Sequence, residues 1–402
     1  MTDRFSTGMA EVGRLTKAGR LAEATTLIRQ LLSGTQDRMP RDAAAPGSPP
    51  TIDAEPVTVE TADTPPPHPT GPGQPDGRRD GAVRRGLGDT LRSLAARAMP
   101  AGLDLGLGTV ARPAPDPMPA GASFTTATFR NGAGERSYKL YVPANRRGGQ
   151  PLPLVVMLHG CTQSPDDFAA GTRMNALAEE YGVLVAYPAQ DPAANAQKCW
   201  NWFSHDHQRR DLGEPSLIAG ITRQIMRDHP VDARRVYVAG MSAGGAAAAV
   251  MGAAYPDLYA AVGVHSGLPV GAAHDLPSAL AAMRKGAKHP GTARSGLPVP
   301  AIVFHGDRDG TVHPGNGAAL VTQSTATAAG LTSRQENGQV PGGHGYSRKL
   351  HSDSAGRVLC EEWVIHGAGH AWAGGSPAGT YTDPKGPDAT REMLRFFLET
   401  PR

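Results

Sequence analysis

The most informative segment of this 402-residue chain reads Val236-Tyr237-Val238-Ala239-Gly240-Met241-Ser242-Ala243-Gly244-Gly245. Its β-branched and aromatic start predicts a buried strand, and the alanine-rich run after it predicts a helix. A strand that turns directly into a helix strains the residue at the turn, so the neighbours of that residue must be small. Gly240 and Gly244 meet this need on either side of Ser242. The segment therefore predicts a nucleophilic serine, and the plain alternative is a serine that caps a helix.

On both sides of this segment, apolar strands alternate with helical stretches. Two alternating runs at 123–130 and 136–142 flank Asn131-Gly132, which indicates a β-hairpin. The predicted strands after the hairpin are 154–158, 183–187, 236–241, 260–264, 301–304 and 357–365; the predicted helices are 168–181, 217–228, one after Ser242, 318–328 and 389–398. This alternation predicts a mostly parallel, doubly wound sheet with ligands at the carboxyl ends of its strands.

The part of the chain before the hairpin has a different composition. Residues 1–32 predict a short helical hairpin, and residues 33–121 predict a largely disordered linker because Pro, Ala, Asp, Thr and Gly dominate it. Leucines at i, i+4 and i+7 predict a short helix over 87–98 within this linker. The chain holds 36 prolines and 50 glycines, which is above the usual shares of about 5% and 7%. We therefore expect one folded domain over 122–402.

Composition excludes several classes of function. The formal net charge of +3 is close to balance and the 14 histidines are scattered, which argues against nucleic-acid binding. No apolar run approaches the roughly 20 residues of a transmembrane helix, and the first residues contain no apolar core of a signal peptide. Three cysteines permit at most one intrachain bridge. No paired cysteine or histidine spacing suits zinc, so we expect no metal and no cofactor.

Two later loops carry candidates for the other groups that an activated serine needs. Asp307 and Asp309 follow an apolar strand in the loop His305-Gly306-Asp307-Arg308-Asp309, and Asp309 is favoured because it stands on the far side of that loop. His370 is the favoured base because glycines on both sides let its loop fold back over the serine, whereas His366 competes from the end of a strand. The resulting order of Ser, Asp and His is the order expected of an α/β-hydrolase.

An oxyanion hole requires backbone N–H groups that point at the developing negative charge. One N–H is expected from Ala243, and the other from the loop His159-Gly160-Cys161-Thr162-Gln163. A cysteine near a histidine can itself be a nucleophile, but the turn position holds Ser242. Cys199 lies on a loop expected at the same sheet edge, which makes Cys161–Cys199 a candidate disulfide. Four side chains near these loops are candidate substrate contacts, with core packing as the alternative for the tryptophans: Trp200, Trp202, Gln163 and Trp372.

These motifs together resemble those of the poly(3-hydroxybutyrate) depolymerase family of esterases. They are His-Gly-Cys-Thr-Gln, Cys-Trp-Asn-Trp, Gly-Met-Ser-Ala-Gly-Gly, His-Gly-Asp-Arg-Asp-Gly-Thr-Val and Gly-His-Ala-Trp, and they occur in this order between residues 123 and 398. The resemblance implies an α/β-hydrolase fold with Ser242 as nucleophile, Asp309 as acid, His370 as base and Cys161 in the oxyanion loop. Feruloyl and acetylxylan esterases contain similar domains, so the resemblance indicates the reaction more closely than the substrate.

We therefore expect a serine esterase that acts through an acyl-enzyme on poly- or oligo(3-hydroxybutyrate) or other short-chain hydroxyacid esters. The alternatives are a feruloyl or acetylxylan type of esterase on plant-polymer esters, and a non-catalytic binding protein with a hydrolase fold. The resemblance implies an extracellular location, whereas the N-terminal residues favour the cytoplasm. The extension before residue 122 is a candidate contact for a partner or a granule.

Overall fold

The computed structural model describes residues 114–146, 149–287, 299–326 and 329–402. The helices predicted over 1–32 and 87–98, and the predicted linker up to residue 113, lie outside these residues. The described end of that linker approaches the folded domain, because Asp116 accepts a hydrogen bond from Arg173 Nε at 2.8 Å. The first strand begins at Ser123.

Within the described residues, ten strands form one sheet in the order β1-β2-β4-β3-β5-β6-β7-β10-β9-β8. These strands are β1 Ser123–Asn131, β2 Gly134–Val142, β3 Leu152–Leu158, β4 Leu184–Pro188, β5 Val231–Met241, β6 Ala261–His265, β7 Ala301–Gly306, β8 Thr332–Gln339, β9 Gly345–Ser352 and β10 Val358–Ile365. Two short strands, β11 Trp372–Ala373 and β12 Thr382–Asp383, pair with each other. The described helices are α1 Pro165–Thr172, α2 Met174–Tyr181, α3 Gly213–Asp228, α4 Ala243–Ala254, α5 Leu276–Lys285, α6 Gly315–Thr325 and α7 Ala389–Glu399.

The centre of the sheet is parallel from β4 through β3, β5, β6 and β7 to β10. The hairpin β1–β2 joins β4 in antiparallel pairing, as the Asn-Gly turn predicts. A second antiparallel hairpin, β8–β9, extends the opposite edge beside β10. This hairpin is absent from the prediction because its strands are polar, β8 largely exposed and β9 largely half-buried, so they lack the apolar alternation that marks a strand in the sequence. The predicted mostly parallel sheet with a leading hairpin is confirmed.

Helices cover both faces of the parallel strands, which explains why every residue of β3 is buried. Leu154, Val156 and Val238 pack on the face covered by α3, α4, α5 and α6. Val155 and Tyr237 point to the other face, where α1, α2 and α7 pack. The sheet therefore separates two apolar cores, and its loops are left to carry polar chemistry.

The prediction of one continuous helix over 168–181 was wrong. The structure has two helices there, α1 and α2, which meet at Arg173 with φ +55°. A non-glycine residue in the left-handed region ends a helix without the glycine that usually marks such an end.

No helix of the described residues has both the length and the apolar character needed to cross a bilayer.

Candidate active site

The carboxyl ends of five parallel strands meet at one edge of the sheet, where the predicted site residues lie. β3 leads into His159, β5 into Ser242, β7 into Asp307 and β10 into His366, while β6 ends at His265. Parallel strands of a doubly wound sheet place such loops side by side. The topology therefore brings together residues that are up to about two hundred positions apart in the chain.

Ser242 occupies the tight turn between β5 and α4. Its backbone has φ +57° and ψ −122°, a conformation that is costly for any residue with a side chain. A Cβ at Gly240 or at Gly244 would collide with the carbonyl oxygen of Leu158, so both positions require glycine. The Ser242 N–H donates to the carbonyl of His265 at 2.9 Å, which ties the turn to the next strand. The side chain of Ser242 is thereby presented at the strand edge on a rigid support.

Asp309 and His370 form a buried pair, which we call the inner pair. His265 links it to the serine turn, because its carbonyl accepts from the Ser242 N–H and its Nε2 accepts from the Ala373 N–H in the loop of His370. Asp309 Oδ2 lies 2.7 Å from His370 Nδ1, and the Asp309 side chain is fully buried while that of His370 is 12% exposed. Burial opposes the charge of Asp309, but hydrogen bonds from His305 and His370 outweigh it and hold the pKa of Asp309 well below its usual range. A carboxylate at Nδ1 fixes the tautomer of the imidazole and leaves Nε2 as the basic nitrogen. Among the described residues, neither His370 Nε2 nor Ser242 Oγ has a hydrogen-bond partner.

Asp307 and His366, the competitors in the sequence, form a second pair, which we call the outer pair. Asp307 Oδ2 lies 3.1 Å from His366 Nδ1, and the two side chains are 38% and 48% exposed. His366 Nε2 contacts Ser347 Oγ at 2.9 Å, a serine in the polar strand β9. The backbone of Ser347 lies in a regular strand, whereas Ser242 lies at a strained turn that leads directly into a helix. Together with Ser347, the outer pair therefore has the residue types of a catalytic triad, but its serine does not lie at a tight strand–helix turn.

The loop after β3 lies directly against the serine turn. A Cβ built on Gly160 would lie 3.6 Å from Ser242 Cβ, so the next residue, Cys161, borders the same space. Within the described residues, no acceptor binds the N–H of Cys161 or that of Ala243, the first residue of α4. The first N–H groups of a helix lack partners inside the helix and favour negative charge. These two N–H groups are thus available for an oxyanion, as an oxyanion hole requires.

The candidate substrate contacts instead support this loop. Trp200 is fully buried, and its indole N–H donates to the His159 carbonyl at 3.1 Å. Gln163 is buried as well, accepts from the Gly160 N–H at 2.8 Å and donates to Asp167. The structure joins Cys161 to Cys199, next to Trp200 in the chain. In this structure Trp200 and Gln163 are buried against protein and position the oxyanion loop, since neither has surface left for a substrate.

The other two tryptophans are buried too. Trp202 is 6% exposed and packs edge-on against Phe203. Trp372 donates from its indole N–H to Thr390 Oγ1 at 2.9 Å and stacks on His265. Trp372 stands two residues after His370, so this packing holds the histidine loop. The alternative of core packing, left open in the sequence, is the one that the burial favours for Trp200, Trp202 and Trp372.

Two further histidines, at the ends of β6 and β7, also contact the site. His305 Nε2 lies 3.4 Å from Asp309 Oδ2 and 2.8 Å from the Val312 carbonyl. His265 Nε2 accepts from the Ala373 N–H at 3.0 Å, and burial lowers the pKa of His265 to about 3. His265 is therefore neutral, which lets its Nε2 act as an acceptor. The signal that could have found them is their position at the end of a parallel strand beside the candidate loops.

Fold and site together define an α/β-hydrolase with a serine at its strand–helix elbow. Residues 136–334 match the family model described as esterase PHB depolymerase. The chain is 35% identical over 254 residues to a poly(3-hydroxyalkanoate) depolymerase C of Paucimonas lemoignei, covering 60% of this chain and 57% of the relative. Residues 136–334 are thus the part of the chain that is assigned to the esterase PHB depolymerase family.

Two further comparisons, both with acetylxylan esterases, concern the sequence and the fold. A probable acetylxylan esterase A of Aspergillus fumigatus is 35% identical over 133 residues, which covers 33% of this chain and 34% of the relative. A solved acetyl xylan esterase from Aspergillus awamori is 20% identical with a TM-score of 0.52, covering 69% of this chain and 98% of that chain. This structural likeness confirms the predicted fold. The chain spans about half the length of the curated depolymerases that it matches.

Proposed function

We propose that this protein is a serine carboxylic-ester hydrolase that acts through an acyl-enzyme on oligomers or polymers of short hydroxyacids. The observation that carries the proposal is the inner pair, in which Asp309 orients His370 at 2.7 Å beside the strained turn of Ser242. Similarity to the depolymerase of Paucimonas lemoignei supports the hydroxyacid substrate class. Similarity to acetylxylan esterases makes a plant-polymer ester the second candidate.

In this mechanism His370 Nε2 removes the proton from Ser242 as Oγ attacks the ester carbonyl. The N–H groups of Ala243 and Cys161 donate to the oxyanion of the tetrahedral intermediate, and Asp309 stabilises the imidazolium. The ester C–O bond then breaks, and the leaving alcohol takes the proton from His370. Water, activated by the same histidine, attacks the acyl group and releases the carboxylic acid together with free Ser242.

The test is hydrolysis of p-nitrophenyl butyrate by the wild type, by Ser242→Ala and by the matched control Ser347→Ala. We expect Ser242→Ala to lose about 10⁴-fold or more in kcat, since its loss removes the nucleophile. Ser347→Ala is expected to stay within about twofold, because Ser347 belongs to the outer pair. Unchanged activity in Ser242→Ala would contradict the proposal and favour a binding protein with a hydrolase fold.

The substrate class is tested by comparing kcat/KM for 3-hydroxybutyrate oligomers, methyl ferulate and acetylated xylan under one set of conditions. The proposal expects the hydroxybutyrate oligomers to be the best substrates. A higher kcat/KM for acetylated xylan or methyl ferulate would place the protein with the plant-polymer esterases instead.

A further inference from the structure

A polar cavity of about 710 Å³ opens beside the oxyanion loop. Its walls come from three separate segments: the start of α1 with the loop before it, the residue before Cys199, and the segment 377–382. The side chains that line it include five hydroxyl groups, on Thr162, Ser164, Thr380, Tyr381 and Thr382. Such a lining suits a hydrogen-bonding ligand better than an apolar chain.

The cavity is tied to the site by backbone and covalent links. Thr162 follows Cys161 and donates its N–H to the Gln197 carbonyl at 2.7 Å. Lys198 lies between Gln197 and Cys199, which is bonded to Cys161. The Trp372 N–H donates to the Tyr381 carbonyl at 2.7 Å, so the opposite wall is held by the histidine loop. The cavity therefore borders the oxyanion loop, and that loop in turn lies against the Ser242 turn at Gly160.

Lys198 is the cation of this cavity, and it has no counter-ion there. Among the described residues, no carboxylate forms an ion pair with Lys198 and no acceptor binds its ammonium group. The lysine is half-buried and has a left-handed backbone with φ +53°. The cavity thus presents one positive charge without a partner.

The carboxylate that also lines the cavity is already engaged. Asp167 Oδ1 accepts from the Thr380 N–H at 3.0 Å, and Oδ2 accepts from Gln163 Nε2 at 3.0 Å and from the Thr380 hydroxyl. These donors face Asp167 from two of the cavity walls and stabilise its negative charge. Lys198 therefore stays available for an anion that comes from outside the protein.

We propose that this cavity binds the free carboxylate end of a short hydroxyacid oligomer, with Lys198 as the residue that recognises the carboxylate. The inference rests on the proposed esterase function and deepens it, because it selects oligomers with a free acid end. For a hydroxybutyrate dimer, Ser242 takes the acyl group of the first unit. The ester C–O bond breaks, and the second unit leaves as an alcohol that carries the carboxylate next to Lys198. A charged hydrogen bond at this position contributes to binding on the leaving-group side.

The test compares a 3-hydroxybutyrate dimer with the same dimer capped as its primary amide, which is nearly isosteric but uncharged. For the wild type we expect kcat/KM to be roughly tenfold to a hundredfold higher for the acid than for the amide. Lys198→Met removes the charge, retains a flexible unbranched side chain of similar size and is expected to reduce this ratio to about one. Lys198→Arg keeps the charge and is expected to retain most of the preference. Lys285→Met, a change at an exposed lysine at the end of α5, is the matched control and is expected to keep the wild-type ratio.

Each variant is measured as a ratio between two substrates, so a partial loss of folded protein does not alter the result. An acid-to-amide ratio that is unchanged in Lys198→Met would overturn the proposal, and so would a wild-type ratio of one or less. A wild type that hydrolyses p-nitrophenyl butyrate but neither dimer would overturn it as well, while leaving the esterase function intact. Failure of the esterase function itself is recognised separately, by the absence of p-nitrophenyl butyrate hydrolysis.

Discussion

The inner pair and the outer pair are built from the same two loops and the same two residue types, but they differ in burial. Asp309 is fully buried and contacts His370 at 2.7 Å, whereas Asp307 and His366 are more than a third exposed and lie 3.1 Å apart. Charges in a low-dielectric site interact strongly, and exposed ion pairs contribute about 0–1 kcal/mol. The difference teaches that residue identity alone does not distinguish one pair from the other. Under the proposed function, burial and the strained turn at Ser242 mark the inner pair as the catalytic one.

The environment of the inner pair adds to this contrast. His305 contacts Asp309, and His265 accepts a hydrogen bond from the Ala373 N–H in the loop that carries His370. The outer pair has the Gly367 N–H and Ser347 as its other partners. The inner pair is therefore fixed in position by packed side chains, while the outer pair is held mainly by surface hydrogen bonds.

The largest expected effect comes from neutralising each aspartate in turn. Asp309→Asn is expected to lower kcat for p-nitrophenyl butyrate by about 10⁴-fold, because an amide at Nδ1 favours the wrong tautomer of His370. Asp307→Asn removes the equivalent carboxylate from the outer pair and is expected to stay within about twofold. Steady-state kinetics at pH 7.5 on the two purified variants measures both effects.

Equal losses in the two variants would break the comparison, since burial would then have no bearing on the role of the aspartate. A larger loss in Asp307→Asn would reverse the comparison and make the outer pair catalytic. The thermal midpoint of each variant serves as the control for folding.

A smaller effect is expected in the response to acid. Burial lowers the pKa of His265 to about 3, whereas a free histidine has a pKa of about 6.5. At pH values between these two pKa values, the unfolded chain therefore binds a proton at this histidine, whereas the folded chain does not. Stability is fully present above about pH 6.5 and is lost as the pH falls toward 3, at up to about 1.4 kcal/mol per pH unit for this group.

His265→Gln removes this titration while leaving an acceptor for the Ala373 N–H. Urea unfolding between pH 7 and pH 4.5 is expected to give a lower free energy of unfolding for the variant at pH 7 but a shallower decline toward acid. His159, whose pKa burial lowers to about 4, contributes equally to both proteins and cancels in the difference. Parallel declines in the two proteins would contradict a neutral, buried His265.

The sequence predicted the sheet and the positions of the candidate residues because these depend on local signals. Glycines around Ser242, apolar strands before Asp309 and glycines beside His370 all lie within a few residues of the group they position. The confirmed topology then brings these strand ends to one edge. In the sequence, the two aspartates could be ranked only by their place in the loop. Burial distinguishes them in the structure, and burial depends on contacts with residues distant in the chain.

Other features had no local signal. The strands β8 and β9 are polar on both faces, so their pairing depends on the edge of β10 rather than on apolar alternation. From the sequence Trp200 could equally contact substrate or pack. Its complete burial and its hydrogen bond to the carbonyl of His159, forty-one residues earlier, decide for packing. The paired roles of His265 and His305 likewise depend on Ala373 and Asp309 in other loops.

The most direct test of the central claim identifies the serine that the protein activates. A fluorophosphonate reacts with an activated serine, forming an O–P bond at Oγ with loss of fluoride, and peptide mass spectrometry locates the modified residue. The elbow beside the inner pair predicts stoichiometric modification of Ser242, with loss of p-nitrophenyl butyrate hydrolysis in step with labelling. Modification of Ser347 in the outer pair, or activity that persists after Ser242 is fully modified, would contradict it.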